Sequence, residues 1–264
     1  MVQFALKSGP AELELFEAGG GMAAMALGLS PEKAESLANE LSEYSKSLND
    51  NPVFAKAPSV LSYCYSVAKP DHGLATIYLP ENIEPETRRI VFIHGYGGSI
   101  LPLLSPIIQT FPESVVIAPA FGISGGGISS DYVDESIQSA AEITELASIQ
   151  FEKPPLLIGL SAWGFSGFRI YSETESNYSG FICLAAYPQS KTLKSNGPIR
   201  ILCGLAEPFV KNGTLHRTTN HLRGSDFEIE TISGADHFFL LTHRKQTSET
   251  LRIWANDIFE TKNP

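Results

Sequence analysis

Four short stretches hold residues that could act together on an acyl carbonyl: His94-Gly95-Tyr96-Gly97-Gly98, Ser161-Ala162-Trp163-Gly164, Gly204-Leu205-Ala206-Glu207-Pro208 and Gly234-Ala235-Asp236-His237. A serine hydroxyl is a poor nucleophile until a base takes its proton. The base must be held by an acid, and N–H donors must meet the developing oxyanion. Ser161 stands in a turn that Gly159 and Gly164 help to make, which exposes its hydroxyl. The backbone N–H of Ala162 is one candidate oxyanion donor. That of Tyr96 is the second, since the glycines around it let the chain approach a substrate closely. His237 is the candidate base and Glu207 the candidate acid, with Asp226 and Asp236 as alternatives for the acid. Trp163, Phe165, Phe168, Phe238 and Phe239 cluster around these positions and read either as core packing or as walls of an apolar acyl pocket, with Trp163, Phe238 and Phe239 as the pocket candidates.

Each of these residues is ordinary alone; their common feature is position. From Arg89 onward the sequence alternates short, largely apolar runs with longer helical patterns. The runs are Ile90 to Ile93, Val115 to Ala118, Leu156 to Leu160, Phe181 to Ala185, Ile199 to Cys203 and Phe227 to Ile232. Such runs are strands buried on both faces. The intervening patterns, at about Leu101 to Gln109, Tyr132 to Ile149, Gly164 to Tyr171, Gly213 to Leu222 and Phe239 to Phe259, give the rhythm of an α/β fold with a mostly parallel central sheet flanked by helices. In an open parallel sheet ligands bind at the carboxyl ends of the strands, and each candidate follows a separate run.

Upstream, Ser30-Pro31-Glu32-Lys33 reads as an N-cap with Pro at the first helical position, and Leu37, Leu41, Tyr44 and Leu48 follow at helical spacing. Asn49-Asp50-Asn51-Pro52 ends that helix. Val60 to Val67 and Leu74 to Leu79 then read as two strands joined by a turn. The expected organisation is an N-terminal helical extension, 1–58, packed on a main domain, 59–264.

The order of nucleophile, acid and base and their places after the strands resemble the α/β-hydrolase family, over a stretch from about Arg89 to the C-terminus. The resemblance implies an acyl-enzyme hydrolase with Ser161 as nucleophile, Glu207 as acid and His237 as base. One departure stands out. The family's turn reads small-x-Ser-x-small, and here Trp163 occupies the second small position, where its bulk is expected to crowd the facing strand. A register slipped by one would put Ala162 in the nucleophile's place; Ser166 is a third candidate, expected inside the helix. Only Tyr187 to Pro198 separates two strand runs where the family often inserts a helical lid, so no large lid is expected, and the substrate class is a small or medium ester. A peptidase, thioesterase or C–C hydrolase with the same three residues is an alternative, as is a catalytically silent binding protein of this fold.

Composition narrows the remaining classes. With 19 Lys and Arg against 29 Asp and Glu, the net charge of -10 disfavours capture of a nucleic-acid backbone, which needs clustered cations. Cys64, Cys183 and Cys203 are three widely spaced cysteines in apolar runs, a poor disulfide framework that reads as buried free thiols. His216 with His221, and His237 with His243, lack zinc-site spacing, and Gly125-Gly126-Gly127 lacks the Lys-Ser/Thr of a phosphate loop; that stretch reads as a mobile rim loop. No metal and no cofactor are expected. Gly19 to Leu29 is too short to cross a bilayer, and Glu12, Glu14 and Glu17 stand where an export signal needs positive charge. The expectation is a cytoplasmic protein acting on a small-molecule acyl substrate, with no nucleic-acid partner and no membrane span.

Overall fold

The computed structural model describes residues 29–49, 75–95, 100–119, 129–144, 146–189, 195, 197–222 and 226–260. The expected strand over Val60 to Val67, together with Cys64, Tyr96 and Gly125-Gly126-Gly127, lies outside the described residues.

Seven strands form one sheet: β1 (Ala75–Tyr78), β2 (Arg89–Ile93), β3 (Val115–Pro119), β4 (Leu156–Leu160), β5 (Gly180–Leu184), β6 (Ile199–Gly204) and β7 (Phe227–Ile232), in the spatial order β1-β3-β2-β4-β5-β6-β7. Only β1 runs antiparallel, against β3. The other neighbours are parallel, in registers such as Ile90 beside Leu156 and Phe181 beside Ile199. Every residue of β3, β4, β5 and β6 is buried, as their largely apolar runs require, Arg200 of β6 included. At the sheet edge β7 is only partly buried.

Side chains alternate across the strands, so each strand feeds two cores. On one face Ile90, Phe92, Ile158 and Leu202 pack with α1 (Pro31–Asn49), α2 (Ile100–Thr110), α7 (Phe239–Thr242) and α8 (Arg244–Glu260). On the other, Val91, Leu157, Phe181 and Ile201 pack with α3 (Ser130–Ile143), α4 (Ser161–Glu173) and α6 (Thr214–Thr219); α5 (Pro208–Lys211) lies at that edge. The predicted start of α1 is observed: Lys33 N–H donates to Ser30 Oγ at 3.4 Å. Ala34, Leu37 and Tyr44 of α1 enter the first core, and the Arg244 guanidinium lies 4.4 Å over the Tyr44 ring. No helix among the described residues is long and apolar enough to cross a membrane.

From β2 the chain steps outward to β3, then returns past β2 to β4. The strand order therefore reverses between β2 and β4, and the crevice at their carboxyl ends is the topological switch point where open α/β sheets bind ligands. Residues 94–95 leave β2 there, and Ser161 leaves β4 beside them. Between β5 and β6 the chain has only residues 185–198, too few for a lid domain.

Candidate active site

Ser161 is the first residue of α4 and has φ of 53°, a left-handed conformation that is uncommon outside glycine. One strained residue thus carries the chain from β4 into α4 and leaves the serine protruding at the tip. The strain fixes the register: Ser161, not Ala162, is the turn residue, while Ser166 lies a turn further along α4. Leu160, the N-cap, has no side chain able to accept from the first-turn N–H groups. The N–H of Ala162 thus points out of the helix end, where the helix dipole favours negative charge.

Trp163 does not crowd the strand, contrary to expectation. A Cβ on Gly159 would stand 3.1 Å from Gly164 Cα, 3.2 Å from the Phe181 ring and 3.4 Å from the Trp163 carbonyl oxygen. The helix therefore presents backbone to β4, and Gly164, one place later than the family pattern has it, supplies the close contact. The Trp163 side chain is buried in the core beneath α4. Gly167 continues this close seam, since a Cβ there would lie 2.6 Å from the Phe181 ring.

His237 comes from the loop after β7. Its Nε2 lies 2.7 Å from Ser161 Oγ, and its Nδ1 lies 2.7 Å from Glu207 Oε2. Glu207 is wholly buried, and its other oxygen accepts from the Gly204 N–H at 3.1 Å. With Nδ1–H donating to the carboxylate, Nε2 is left as an acceptor for the serine hydroxyl. The two alternative acids are otherwise engaged. Asp226 pairs with Arg200 at 3.1 Å, and Asp236 Oδ1 accepts from the Phe238 N–H at 2.9 Å within its own turn.

Gly95 lies directly against the serine: a Cβ added to it would be 3.3 Å from Ser161 Cβ. Gly95, two residues after the end of β2, thus sits beside the serine; Tyr96 is outside the described residues. His94 is buried and contacts the Gly95 carbonyl through Nδ1 at 2.9 Å. Burial depresses its pKa to about 4, so it is neutral near pH 7. The aromatic candidates divide. Phe238 is half-buried, with its ring edge-on to the His237 imidazole at 5.7 Å. Phe239 and Trp163 are core residues, Phe239 with no exposed surface, and both pack in the layer between helix and sheet, as the core-packing reading had it.

Sequence reasoning missed two aromatic partners of Phe165, namely Tyr187 and Phe209. Phe165, one helical turn after Ser161, stacks edge-to-face on Tyr187, which meets Phe209, both at 5.0 Å. All three rings are half-buried. The signal was available, since each closely follows a strand end. Cys183 and Cys203 are the expected buried free thiols; desolvation and the nearby Glu207 carboxylate push both thiol pKa values up. Among the described residues no group of three or more His, Cys, Asp or Glu could hold a metal ion.

The seven-stranded, mostly parallel sheet with its flanking helices matches solved structures of esterases. The chain has the α/β-hydrolase fold. Est1E from Butyrivibrio proteoclasticus is 12% identical over 70% of this chain and 93% of its own, with a TM-score of 0.54; it has also been solved with ferulic acid bound. An esterase of Pyrobaculum calidifontis is 11% identical over 70% of this chain and 79% of its own, at 0.53. A phospholipase/carboxylesterase of Dyadobacter fermentans is 15% identical over 70% and 99%, at 0.50. No protein-family model and no curated protein matches this α/β-hydrolase chain.

Proposed function

We propose that this chain is a serine hydrolase that cleaves small or medium carboxylic esters through an acyl-enzyme. The observation that carries this reading is the unbroken series of contacts from Ser161 Oγ through the His237 ring to the buried Glu207, both at 2.7 Å. Contacts of that length are within the reach that proton transfer requires. His237 takes the serine proton as Oγ attacks the ester carbonyl, and the carbonyl oxygen gathers negative charge facing the Ala162 N–H and, in this reading, that of Tyr96. The imidazolium, held by Glu207, then protonates the departing alcohol. In the second half His237 deprotonates a water molecule that attacks the acyl carbonyl and releases Ser161.

The substrate class follows from two features. The short 185–198 connection provides no lid to bury long lipid chains. The half-buried rings of Phe165, Tyr187 and Phe209 suit an apolar or aromatic acyl group of limited size. The test is labelling of the purified protein by a fluorophosphonate, with turnover measured on p-nitrophenyl esters from acetate upward and on an aromatic-acid ester. One label on Ser161 and turnover abolished in Ser161→Ala are expected. An intact, well-folded protein that neither labels nor turns over any acyl compound would sink the proposal and leave a binding role for the fold.

A further inference from the structure

We propose that Gly204 is a positioning residue, setting the separation between the acid and the base of this site; the proposal rests on the hydrolase reading of Ser161, His237 and Glu207. Gly204 ends β6, three residues before Glu207. It is not among the residues with positive φ, so its backbone conformation does not call for glycine. Space does. A Cβ at position 204 would stand 2.3 Å from the Asp236 carbonyl oxygen, 2.5 Å from the Ala235 carbonyl oxygen and 2.8 Å from the Ala235 carbonyl carbon. These are backbone atoms of the segment that carries His237, and no rotamer change can move them away.

The same residue holds the acid. Its N–H donates to Glu207 Oε1 at 3.1 Å, leaving Oε2 for the imidazole. The two segments are also clipped together by the Ala206 N–H, which donates to the Ala235 carbonyl at 2.8 Å, and by the Leu205 N–H, which donates to the Ile232 carbonyl at 2.9 Å. Acid and base therefore hang from one point where two chains touch without a side chain between them. Any side chain at 204 forces the 235–237 segment outward, since ordinary contact begins near 3.4 Å. The retreat is on the order of an ångström, a displacement that can cost about a hundredfold in rate when it falls on reacting groups.

The experiment compares wild type, Gly204→Ala and Glu207→Gln by steady-state kinetics, fluorophosphonate labelling and proton NMR of the His237 Nδ1–H, which a short bond to a carboxylate moves far downfield. Gly204→Ala should lower kcat by about a hundredfold with KM within about twofold, and should lose or shift the downfield resonance while the circular dichroism stays native. A folded Gly204→Ala with wild-type kcat and an unmoved resonance overturns the proposal and leaves the hydrolase reading intact. If wild type neither labels nor turns over, but the resonance is present and disappears in Gly204→Ala, the hydrolase reading falls and the positioning role stands. Should Gly204→Ala not fold, the Gly204 amide proton decides: it should move upfield in Glu207→Gln relative to wild type, and an unchanged shift overturns the proposal.

Discussion

Replacing Glu207 by Gln changes one atom of the site and almost none of its shape. The glutamine carbonyl can still accept from the Gly204 N–H, where Oε1 now accepts at 3.1 Å. Its NH2 group then faces His237 Nδ1, where Oε2 stood at 2.7 Å. Two N–H groups cannot share that contact, so the imidazole must move its proton to Nε2, which points at Ser161 Oγ. The base becomes a donor and can no longer take the serine proton. In an Asp-containing triad the equivalent amide costs about 10⁴ in kcat, roughly 5 kcal/mol of transition-state stabilisation, and the same order is expected here. Because Glu207 is wholly buried, solvent gives the imidazole no substitute acceptor at Nδ1. KM should hardly change, because no substrate contact is lost. The assay is kcat and KM on an activated short-chain ester, alongside Asp236→Asn, which keeps an acceptor for the Phe238 N–H and should be nearly silent. A folded Glu207→Gln within about tenfold of wild type, or a larger loss in Asp236→Asn, would refute the reasoning.

Trp163→Ala should cost about 3–5 kcal/mol in a denaturant titration, as expected for emptying a buried indole site, while the folded protein still labels at Ser161; lost labelling in folded material would make the indole part of the site. Gly164→Val should destabilise by at least about 1–3 kcal/mol, because even a Cβ there meets Ala186 Cβ at 2.9 Å and the Gly159 carbonyl oxygen at 3.2 Å; an unchanged melting temperature would contradict the close seam. His94 is kept neutral by burial, its pKa lowered from 6.5 to about 4. The unfolded chain then binds the proton more readily, so its contribution to stability is present above pH 6.5 and is lost as pH falls towards 4. The loss is about 3 kcal/mol. Urea titrations across that range should show a shallower acid limb in His94→Gln, and identical limbs would reject the assignment.

The inner strands were legible because burial on both faces leaves a largely apolar run, and the partly buried edge strand because its apolar residues alternate with Glu228 and Glu230. Leu156–Leu160 and Phe227–Ile232 have the predicted bounds, and β5 is displaced by one residue because Ala185 turns out of the strand at φ of 53°. Helix breaks were harder to read. The pattern from Phe239 to Phe259 continues through His243, where the chain leaves the helix at φ of -117° and α8 begins afresh. The break lies in the dihedral angles of His243, whose N–H still donates to the Phe239 carbonyl, so periodicity does not mark it. Likewise the pattern from Tyr132 to Ile149 divides after Ile143, at a cap where Thr144 donates through its backbone to Ala140. Ser161, Glu207 and His237 were found by their places after strands. Which of its two readings fits Phe239 was not legible, because adjacency in sequence to a site residue says nothing about which way a side chain turns at the next helix start. The choice among Glu207, Asp226 and Asp236 depended on Arg200, which lies on β6 facing outward to Asp226 and Asp257; that pairing is set by strand register and is invisible along the chain.

The seam between Gly159 and Gly164 has a consequence for how such chains are detected. A pattern that demands a small letter two places beyond the serine passes over this protein, although the space that letter stands for is filled here as tightly as contact allows. The transferable rule is a separation between a strand and the helix that follows it, met by whichever residue the turn happens to lay against the strand. Searches that allow a bulky residue in that place, provided a glycine follows it, would gather sequences of this fold whose serine turn has been hidden by a single shifted position.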